Sequence, residues 1–454
     1  MTTATKPPHL EDPRPNGRPG AATPLLPAAI LCLVACGPGG EDATADRSGE
    51  AGAAGFPAGS TAGFTADEIA SPAAPGSGQP FLAPAGGGVW MSWTEPSPGG
   101  HRVAVSRYDG HSWSSPATVA EGDGFFVNWA DFPTVRSYGE LLVVHWLQRG
   151  GQGTYDYGIR IAWSADRGAT WSAPWTPHED GTPTEHGFVS LFERDGEVWA
   201  AWLDGRAMTV PGGPMSVRAR SLPVAVSAAG GTGPAAGEQR REATPPGPEM
   251  LVDGRACECC QTDAVVAAGV PVLAYRDRAD GEVRDIAVSR LLGTGWTPGV
   301  PVHEDGWVIG ACPVNGPALA ARDAAVVAAW FTAPENRPRV SVAFSEDGAV
   351  SFGTPLRVDS GQPAGRVDVV MLDDGSALVT WLERGADGAR ILSRRVEREG
   401  GMGDPVPLAD TEAARASGFP RIARLGSDRL VLAWTDPTGE SRVRVAVLPL
   451  DRWE

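Results

Sequence analysis

The sequence predicts an all-β fold, a single β-propeller of seven four-stranded blades, from two observations. First, a run of small apolar residues that ends in an aromatic residue recurs seven times, with steps of 53, 56, 73, 55, 51 and 53 residues. Second, 59 Gly and 41 Pro suit many tight turns between short strands. A period near 50 residues with strand-like alternation is typical of propeller blades. The recurring aromatics, predicted to be core residues late in each second strand, are Trp93, Trp146, Trp202, Tyr275, Trp330, Trp381 and Trp434.

The seven repeat units divide into predicted strands with two irregularities. The third unit contains a Gly/Ala/Pro-rich insertion at about 228–248, which explains the 73-residue step. The seventh unit has room for only three strands, so residues of about 63–72 are expected to supply the fourth and close the ring. A six-bladed ring with a stray hairpin is the alternative. The units span about 79–122, 127–181, 185–254, 257–305, 307–360, 364–411 and 416–451.

Composition excludes some classes of function. The 454 residues carry a formal net charge of −17, which argues against nucleic-acid binding because phosphates are neutralised by Lys and Arg. No apolar run reaches the 18 residues of a membrane span. We expect a monomer with a carbohydrate ligand and without a nucleic-acid partner.

The first 75 residues predict export and anchoring. Basic residues precede an apolar stretch that ends in Leu33-Val34-Ala35-Cys36, which resembles a bacterial lipobox. Residues 1–36 are therefore interpreted as a lipoprotein signal peptide with Cys36 as the lipidated residue, and 37–75 as a flexible tether before a propeller at 76–454. This predicts a membrane-anchored lipoprotein, at the outer membrane or periplasmic face of a diderm bacterium. A coincidental Cys in a leader is the alternative.

Two units carry a turn motif between their outer strands. One follows the pattern Ser-x-Asp-x-Gly-x-Thr-Trp, and the other has its Gly one position early. Such a turn needs an Asp that binds backbone N–H groups, a Gly with positive φ and an aromatic that packs under the blade. With these motifs the chain resembles the sialidase (BNR/Asp-box) superfamily of β-propellers. The motif residues are Ser164, Asp166, Gly168 and Trp171 in one unit, and Ser345, Asp347 and Phe352 in the other.

The resemblance implies a site built from an Arg triad, a Tyr nucleophile with a Glu partner, and an Asp acid/base. Sialidases also carry Phe-Arg-Ile-Pro in the first blade, where this chain has Gln79-Pro-Phe81-Leu-Ala without an Arg. We therefore expect little or no release of sialic acid. If the chain is an enzyme, the implied class is a glycoside hydrolase of exo-α-sialidase type. The candidate catalytic residues are Asp131, Tyr155, Tyr157, Arg276, Arg366 and Arg421.

Strand order predicts that polar residues gather at one mouth of the channel. The loops that precede first strands and follow second strands lie on the face opposite the Asp-box turns. Several Arg and carboxylate side chains there suit an anionic or sugar-like ligand, and inter-blade salt bridges are the structural alternative. These residues include Glu95, Glu185, His186, Asp204, Glu383 and Asp436.

Four cysteines open the fourth and fifth units: Cys257, Cys259, Cys260 and Cys312. In an exported protein they suggest disulfides, with Cys259 or Cys260 close to Cys312. The cluster could instead hold copper(I) or zinc, with His186 or His303 nearby, or provide a reactive thiol. No other cofactor is expected.

Three functions follow from the sequence. The first is a sialidase-like lipoprotein that binds or hydrolyses glycans at the polar mouth. The second is a binding or scaffold propeller without catalysis. The third is a metal- or redox-linked propeller built on the cysteine cluster.

Overall fold

The computed structural model describes residues 68–226, 245–386 and 388–454, and it forms a seven-bladed β-propeller. The predicted fold class and blade number are confirmed. Cys36, the predicted signal peptide and most of the 228–248 insertion lie outside the described residues.

Each blade is an antiparallel sheet whose strands follow chain order from the channel outwards. A short first strand, β1 (Glu68–Ile69), belongs to the last blade. Blade 1 contains β2 (Gly78–Ala85), β3 (Gly88–Ser97), β4 (Gly100–Tyr108) and β5 (Ala117–Gly122). Blade 2 contains β6 (Val135–Tyr138), β7 (Leu141–Arg149) and β8 (Tyr157–Ser164), with a bridge from Ile161 to Trp175 as its outer edge. Blade 3 contains β9 (His186–Arg194), β10 (Glu197–Asp204), β11 (Met215–Ala225) and β12 (Met250–Ala256).

The remaining blades repeat this order. Blade 4 contains β13 (Asp263–Ala267), β14 (Val270–Arg276), β15 (Ile286–Leu292) and an outer edge in two pieces, β16 (Gly295–Trp296) and β17 (Val300–Pro301). Blade 5 contains β18 (Ala318–Arg322), β19 (Ala325–Thr332), β20 (Arg339–Ser345) and β21 (Leu356–Arg357). Blade 6 contains β22 (Pro363–Met371), β23 (Ala377–Gly385), β24 (Gly388–Val396) and β25 (Val406–Thr411). Blade 7 contains β26 (Arg421–Leu425), β27 (Arg429–Asp436), β28 (Arg442–Pro449) and β1.

Short 3-10 helices lie in the loops, at Arg206–Thr209, Asp280–Glu282, Pro334–Asn336, Arg415–Ser417 and Leu450–Trp453. Within the described residues no helix is long and apolar enough to span a membrane.

The ring closes through β1, as the three-strand seventh unit predicts. β1 pairs antiparallel with β28, with Glu68 opposite Ala446. Gly76 N donates to Ser441 O at 2.7 Å, and Val443 N donates to Ser77 Oγ at 3.0 Å. Segments at opposite ends of the described chain therefore complete one blade.

The seven recurring aromatics lie on the second strands and form the core, with at most 3% of any of them exposed. In three blades the indole Nε1 donates to a carboxylate two residues later: Trp93 to Glu95, Trp202 to Asp204, and Trp381 to Glu383, at 2.6–2.8 Å. Residues i and i+2 share a face of a strand, so the recurring acidic residue is the hydrogen-bond partner of the buried ring.

The two Asp-box motifs form the same turn despite the displaced Gly. Asp166 Oδ1 accepts from Ser164 Oγ at 2.7 Å, and Asp347 Oδ1 accepts from Ser345 Oγ at 2.8 Å. Each turn has two successive residues with positive φ, Arg167-Gly168 (59° and 90°) and Gly348-Ala349 (70° and 62°). Because both positions adopt the left-handed conformation, Gly can occupy the first or the second of them.

Candidate functional site

The predicted site residues lie on the face where the innermost strand of each blade begins, here called the strand-start face. The opposite face carries the Asp-box turns and is called the Asp-box face. Asp131 and Glu185 precede innermost strands β6 and β9, and Tyr157 opens the third strand of blade 2. Polar groups of blades 2 and 3 therefore meet at this face.

An aromatic and arginine plug closes the centre of the strand-start face. Its rings are Phe81, Trp129, Phe132 and Phe419, with neighbouring centroids 5.7–6.3 Å apart. The guanidinium of Arg421 lies 4.5 Å from the centre of the Phe81 ring, and Arg421 Nε is 3.2 Å from Asp368 Oδ2. The cavity that remains beside the plug is only about 30 Å³, room for about one water molecule.

The three candidate arginines are each held separately by protein groups. Arg366 lies 4.9 Å from the Trp129 ring centre and donates to Gly418 O, and burial lowers its pKa to about 10. Arg276 donates to the carbonyls of Asn315, Arg284 and Phe331 at 2.6–3.0 Å and is 1% exposed. Arg421 belongs to the plug. These contacts hold each of the three arginines in place at this face.

Tyr157, Glu185 and Asp131 form a hydrogen-bonded chain between blades 2 and 3. Tyr157 Oη donates to Glu185 Oε1 at 2.5 Å, and Asp131 hydrogen bonds the Tyr157 side chain. Asp131 Oδ2 also accepts from Phe188 N at 2.9 Å. A Cβ at Gly187 would overlap Asp131 Oδ2 and come within 3.0 Å of Tyr157 Cε2, so glycine is required where the two side chains converge.

Burial raises the pKa values of the two carboxyls in this hydrogen-bonded group. It raises the pKa of Asp131 well above its ordinary value, and the nearby Glu185 raises it further. Burial, with Glu258 and Cys257 nearby, raises the pKa of Glu185 to about 7, although the Tyr157 hydrogen bond opposes the shift. Burial therefore favours the protonated form of both carboxyls, and Tyr157 donates its hydroxyl proton to Glu185.

Tyr157 is buried, whereas two side chains on nearby loops are exposed to solvent. Its ring stacks on Phe126 with centroids 3.9 Å apart, and Tyr157 is 2% exposed. Tyr155, in the preceding loop, is 40% exposed, and its carbonyl accepts from Tyr157 N at 3.0 Å. Met208 is 41% exposed on the loop whose Gly205 N donates to Glu185 O. Two partly apolar side chains, Tyr155 and Met208, are thus exposed on loops that adjoin the Tyr157–Glu185 pair.

A histidine and carboxylate cluster lies beside the site in blade 3. The rings of His178 and His186 stack with centroids 3.9 Å apart. His186 contacts Thr184 O through Nδ1 at 2.8 Å and Asp180 Oδ1 through Nε2 at 3.1 Å. His178 Nε2 accepts from Ile159 N at 3.2 Å. His186 is thus committed to this cluster, and His178 supports the outer edge of blade 2.

The cysteine cluster lies at the start of blades 4 and 5. Cys259 and Cys312 form a disulfide with Cα atoms 6.1 Å apart, and Cys257 and Cys260 are buried thiols. Burial alone would raise the pKa of the Cys257 thiol, but the Cys260 thiol and the guanidiniums of Arg276 and Arg284 lower it. Burial and Cys257 raise the pKa of Cys260.

Sequence reasoning missed two features of this face. Glu185 was recognised only as a polar mouth residue, and its pairing with Tyr157 depends on blade 3 packing against blade 2. Arg284 was missed entirely: it is buried, and its Nη1 donates to Cys257 Sγ at 3.3 Å. The residues around Arg284 form no motif, so only the fold reveals its partner.

Comparisons with known proteins establish the fold. No family model and no curated protein matches the sequence. The BP39L lectin from Burkholderia pseudomallei aligns with a TM-score of 0.55 and 13% identity, over 79% of this chain and 92% of the lectin. The α-L-arabinanase of Penicillium chrysogenum aligns with a TM-score of 0.46 and 14% identity over 86% and 98%, and Trypanosoma rangeli sialidase with 0.45 and 12% over 73% and 56%. The chain has a β-propeller fold.

Proposed function

We propose that the protein binds carbohydrate on the strand-start face and processes it at a glycosidase-type centre formed by Tyr157, Glu185 and Asp131. The observation that carries the proposal is the 2.5 Å hydrogen bond from Tyr157 Oη to Glu185 Oε1, beside the buried carboxyl of Asp131. A Tyr paired with a carboxylate can attack an oxocarbenium-like centre. A lectin shares the fold, which makes carbohydrate the first ligand class to test.

The proposed role of Glu185 follows from the hydrogen bond that it accepts from Tyr157. Glu185 accepts the Tyr157 proton as the phenolic oxygen bonds to the anomeric carbon, and Asp131 supplies a proton to the departing oxygen. The arginines supply no carboxylate clamp, because Arg276, Arg366 and Arg421 are engaged with backbone carbonyls, Asp368 or aromatic rings. A neutral sugar is therefore the proposed substrate class, and sialosides are expected to be poor substrates.

A panel of aryl glycosides, sialosides included, tests this proposal together with glycan-array binding. Tyr157→Phe and Glu185→Gln should each reduce hydrolysis about 100-fold or more, the scale of losing a nucleophile or its base. Tyr138→Phe is the matched control, because it removes a hydroxyl from the same blade near the Asp-box face. Unchanged turnover in Tyr157→Phe, or wild-type protein that neither binds nor hydrolyses any glycan, would contradict the proposal.

We also propose that the protein acts outside the cytoplasm, anchored through lipidated Cys36. The support is the Leu33-Val34-Ala35-Cys36 sequence. Mass spectrometry of the mature N-terminus should show a diacyl- or triacyl-glyceryl group on Cys36. A mature chain that begins elsewhere and lacks lipid would rule the anchor out.

A further inference from the structure

Four sulfur atoms gather at the boundary between blades 4 and 5. Cys257 Sγ lies 3.2 Å from Cys260 Sγ and 3.9 Å from Cys312 Sγ, and Cys312 is bonded to Cys259. The sulfurs of Cys257, Cys259 and Cys260 all lie within 4.8 Å of one another. Four thiolates around a zinc ion at about 2.3 Å have sulfurs about 3.8 Å apart. The contacts of Cys257 with Cys260 and Cys312 are already near this separation, whereas the bonded sulfurs of Cys259 and Cys312 reach it only after reduction.

A buried positive charge faces these sulfurs. Arg276 is 1% exposed, and its guanidinium donates to three backbone carbonyls. Among the described residues it has no carboxylate within ion-pair distance. Its backbone oxygen accepts from Cys257 N at 3.0 Å, so this charge belongs to a residue that adjoins the cluster. A buried cation without a counterion is costly, and an anionic thiolate cluster would supply one.

The disulfide lies above the two thiols. Cys312 is exposed and Cys259 is half-buried, whereas Cys257 and Cys260 are 0% and 1% exposed. A soluble reductant can therefore reach the disulfide before it reaches the buried pair. Arg284, with its side chain 3% exposed, donates to Cys257 Sγ and to Glu258, which fixes the inner thiol in place.

We propose that reduction of the Cys259–Cys312 disulfide creates a soft-metal site in which the four thiolates hold one d10 metal ion, zinc(II) or copper(I). A dithiol reductant transfers two hydrogen atoms to the Cys259 and Cys312 sulfurs and leaves as its own disulfide. The metal ion then displaces the thiol protons, which pass to solvent, and binds the sulfurs. Thiolates are the preferred ligands of both ions. The site uses none of the three residues of the proposed glycan centre.

Metal titration of the full chain tests the proposal. The background carries Cys32→Ser and Cys36→Ser, so that the four clustered cysteines are the only ones of six that remain. Oxidised and phosphine-reduced chains are titrated without oxygen in separate zinc(II) and copper(I) arms, and a mixed arm analysed by native mass spectrometry identifies the preferred ion. One ion per chain should bind after reduction and none before. In the zinc arm, X-ray absorption should show four sulfurs at about 2.3 Å.

Cys260→Ser serves as the ligand variant because it leaves the Cys259–Cys312 disulfide intact. It should weaken metal binding by the reduced chain about tenfold or more, with an unchanged circular dichroism spectrum. If this variant does not fold, the metal stoichiometry and the X-ray absorption spectrum of the protein with all four clustered cysteines still test the proposal. No metal on the reduced wild type, equal binding to both redox forms, or coordination by nitrogen and oxygen alone would overturn the proposal. The last two outcomes would point to His178, Asp180 and His186 instead.

Discussion

At the scale of single residues, the strand-start face shows how a carboxylate can serve packing or chemistry according to its partners. Glu95, Asp204 and Glu383 each accept from a buried indole and from a nearby backbone N–H or Arg side chain, so they hold loops against the blades. Glu185 differs, because its partner is the Tyr157 hydroxyl and no Arg contacts it within ion-pair distance among the described residues. This difference is the reason that Glu185 is proposed as the base.

Replacement of Glu185 should change the pH dependence of stability. Its pKa is about 7 in the folded protein and ordinarily 4.5. A raised folded pKa gives a contribution that is fully present below about pH 4.5 and is lost as the pH rises through 7. The stability of wild type relative to Glu185→Gln should therefore fall between pH 5 and 8, by on the order of 1–3 kcal/mol.

Urea unfolding of both proteins at pH 5, 6, 7 and 8 measures this difference. Glu197→Gln, at the turn between β9 and β10 on the Asp-box face, is the matched control and should show no such trend. Parallel stability curves for wild type and Glu185→Gln would mean that Glu185 ionises as it does in water.

At the scale of elements, a recurring hydrogen bond joins the innermost strands of three blades to the blade that precedes each of them. Gln79, Phe188 and Arg366 each have positive φ just inside their strands, 53°, 54° and 56°. The N–H of each donates to a side chain of the preceding blade, Thr435, Asp131 and Asn315 respectively. These strained residues are held in place by the blade that comes before. Asp131 therefore hydrogen bonds both the backbone of blade 3 and the side chain of Tyr157.

The disulfide is a second link between elements, and its removal should destabilise the ring. It joins the segments before β13 and β18 and spans 53 residues of sequence. In the chain-entropy model such a loop contributes about 4 kcal/mol. Cys312→Ser should therefore lower the unfolding temperature by several degrees, measured by calorimetry with a chelator present.

Two comparisons isolate the disulfide in this experiment. A phosphine reductant should lower the unfolding temperature of the wild type and leave that of Cys312→Ser unchanged. Cys260→Ser keeps the disulfide and should respond to the reductant as the wild type does. If Cys312→Ser unfolds at the wild-type temperature without reductant, the disulfide contributes no stability.

At the scale of the whole molecule, stability depends on closure of the ring. β1 contributes two residues, but its segment also donates Ala74 N to Glu95 Oε2 and buries Ala73 to 8% exposure. Arg444 of β28 forms an ion pair with Glu68. This short segment therefore ties blade 7 to blade 1.

Two truncations test ring closure. Deletion of 37–60 keeps β1 and should leave the unfolding temperature nearly unchanged. Deletion of 37–75 removes β1 and the contacts of Ala73 and Ala74, so it should lower the unfolding temperature by many degrees. Equal unfolding temperatures for the two truncations would show that β1 does not close the ring.

The sequence predicted the propeller well because its repeat is a property of the core. Each aromatic marks the second strand of one blade, and the missing strand of the seventh unit led to β1. The site was harder to predict. Tyr157 and Asp131 were named as candidates, but their junction at Gly187 depends on how blades 2 and 3 pack. The roles of Arg366 and Arg421 also depend on aromatic residues that are distant in sequence.

The plug of Phe81, Trp129, Phe132 and Phe419 narrows the central channel at the strand-start face. Towards the Asp-box face the channel widens to a cavity of about 570 Å³ lined by all seven innermost strands, whereas the other end holds about 30 Å³. The wide end of the axis therefore faces away from Tyr157 and Glu185, neither of which lines it. A ligand held there would contact the innermost strands of all seven blades and would be bound separately from one held at Glu185.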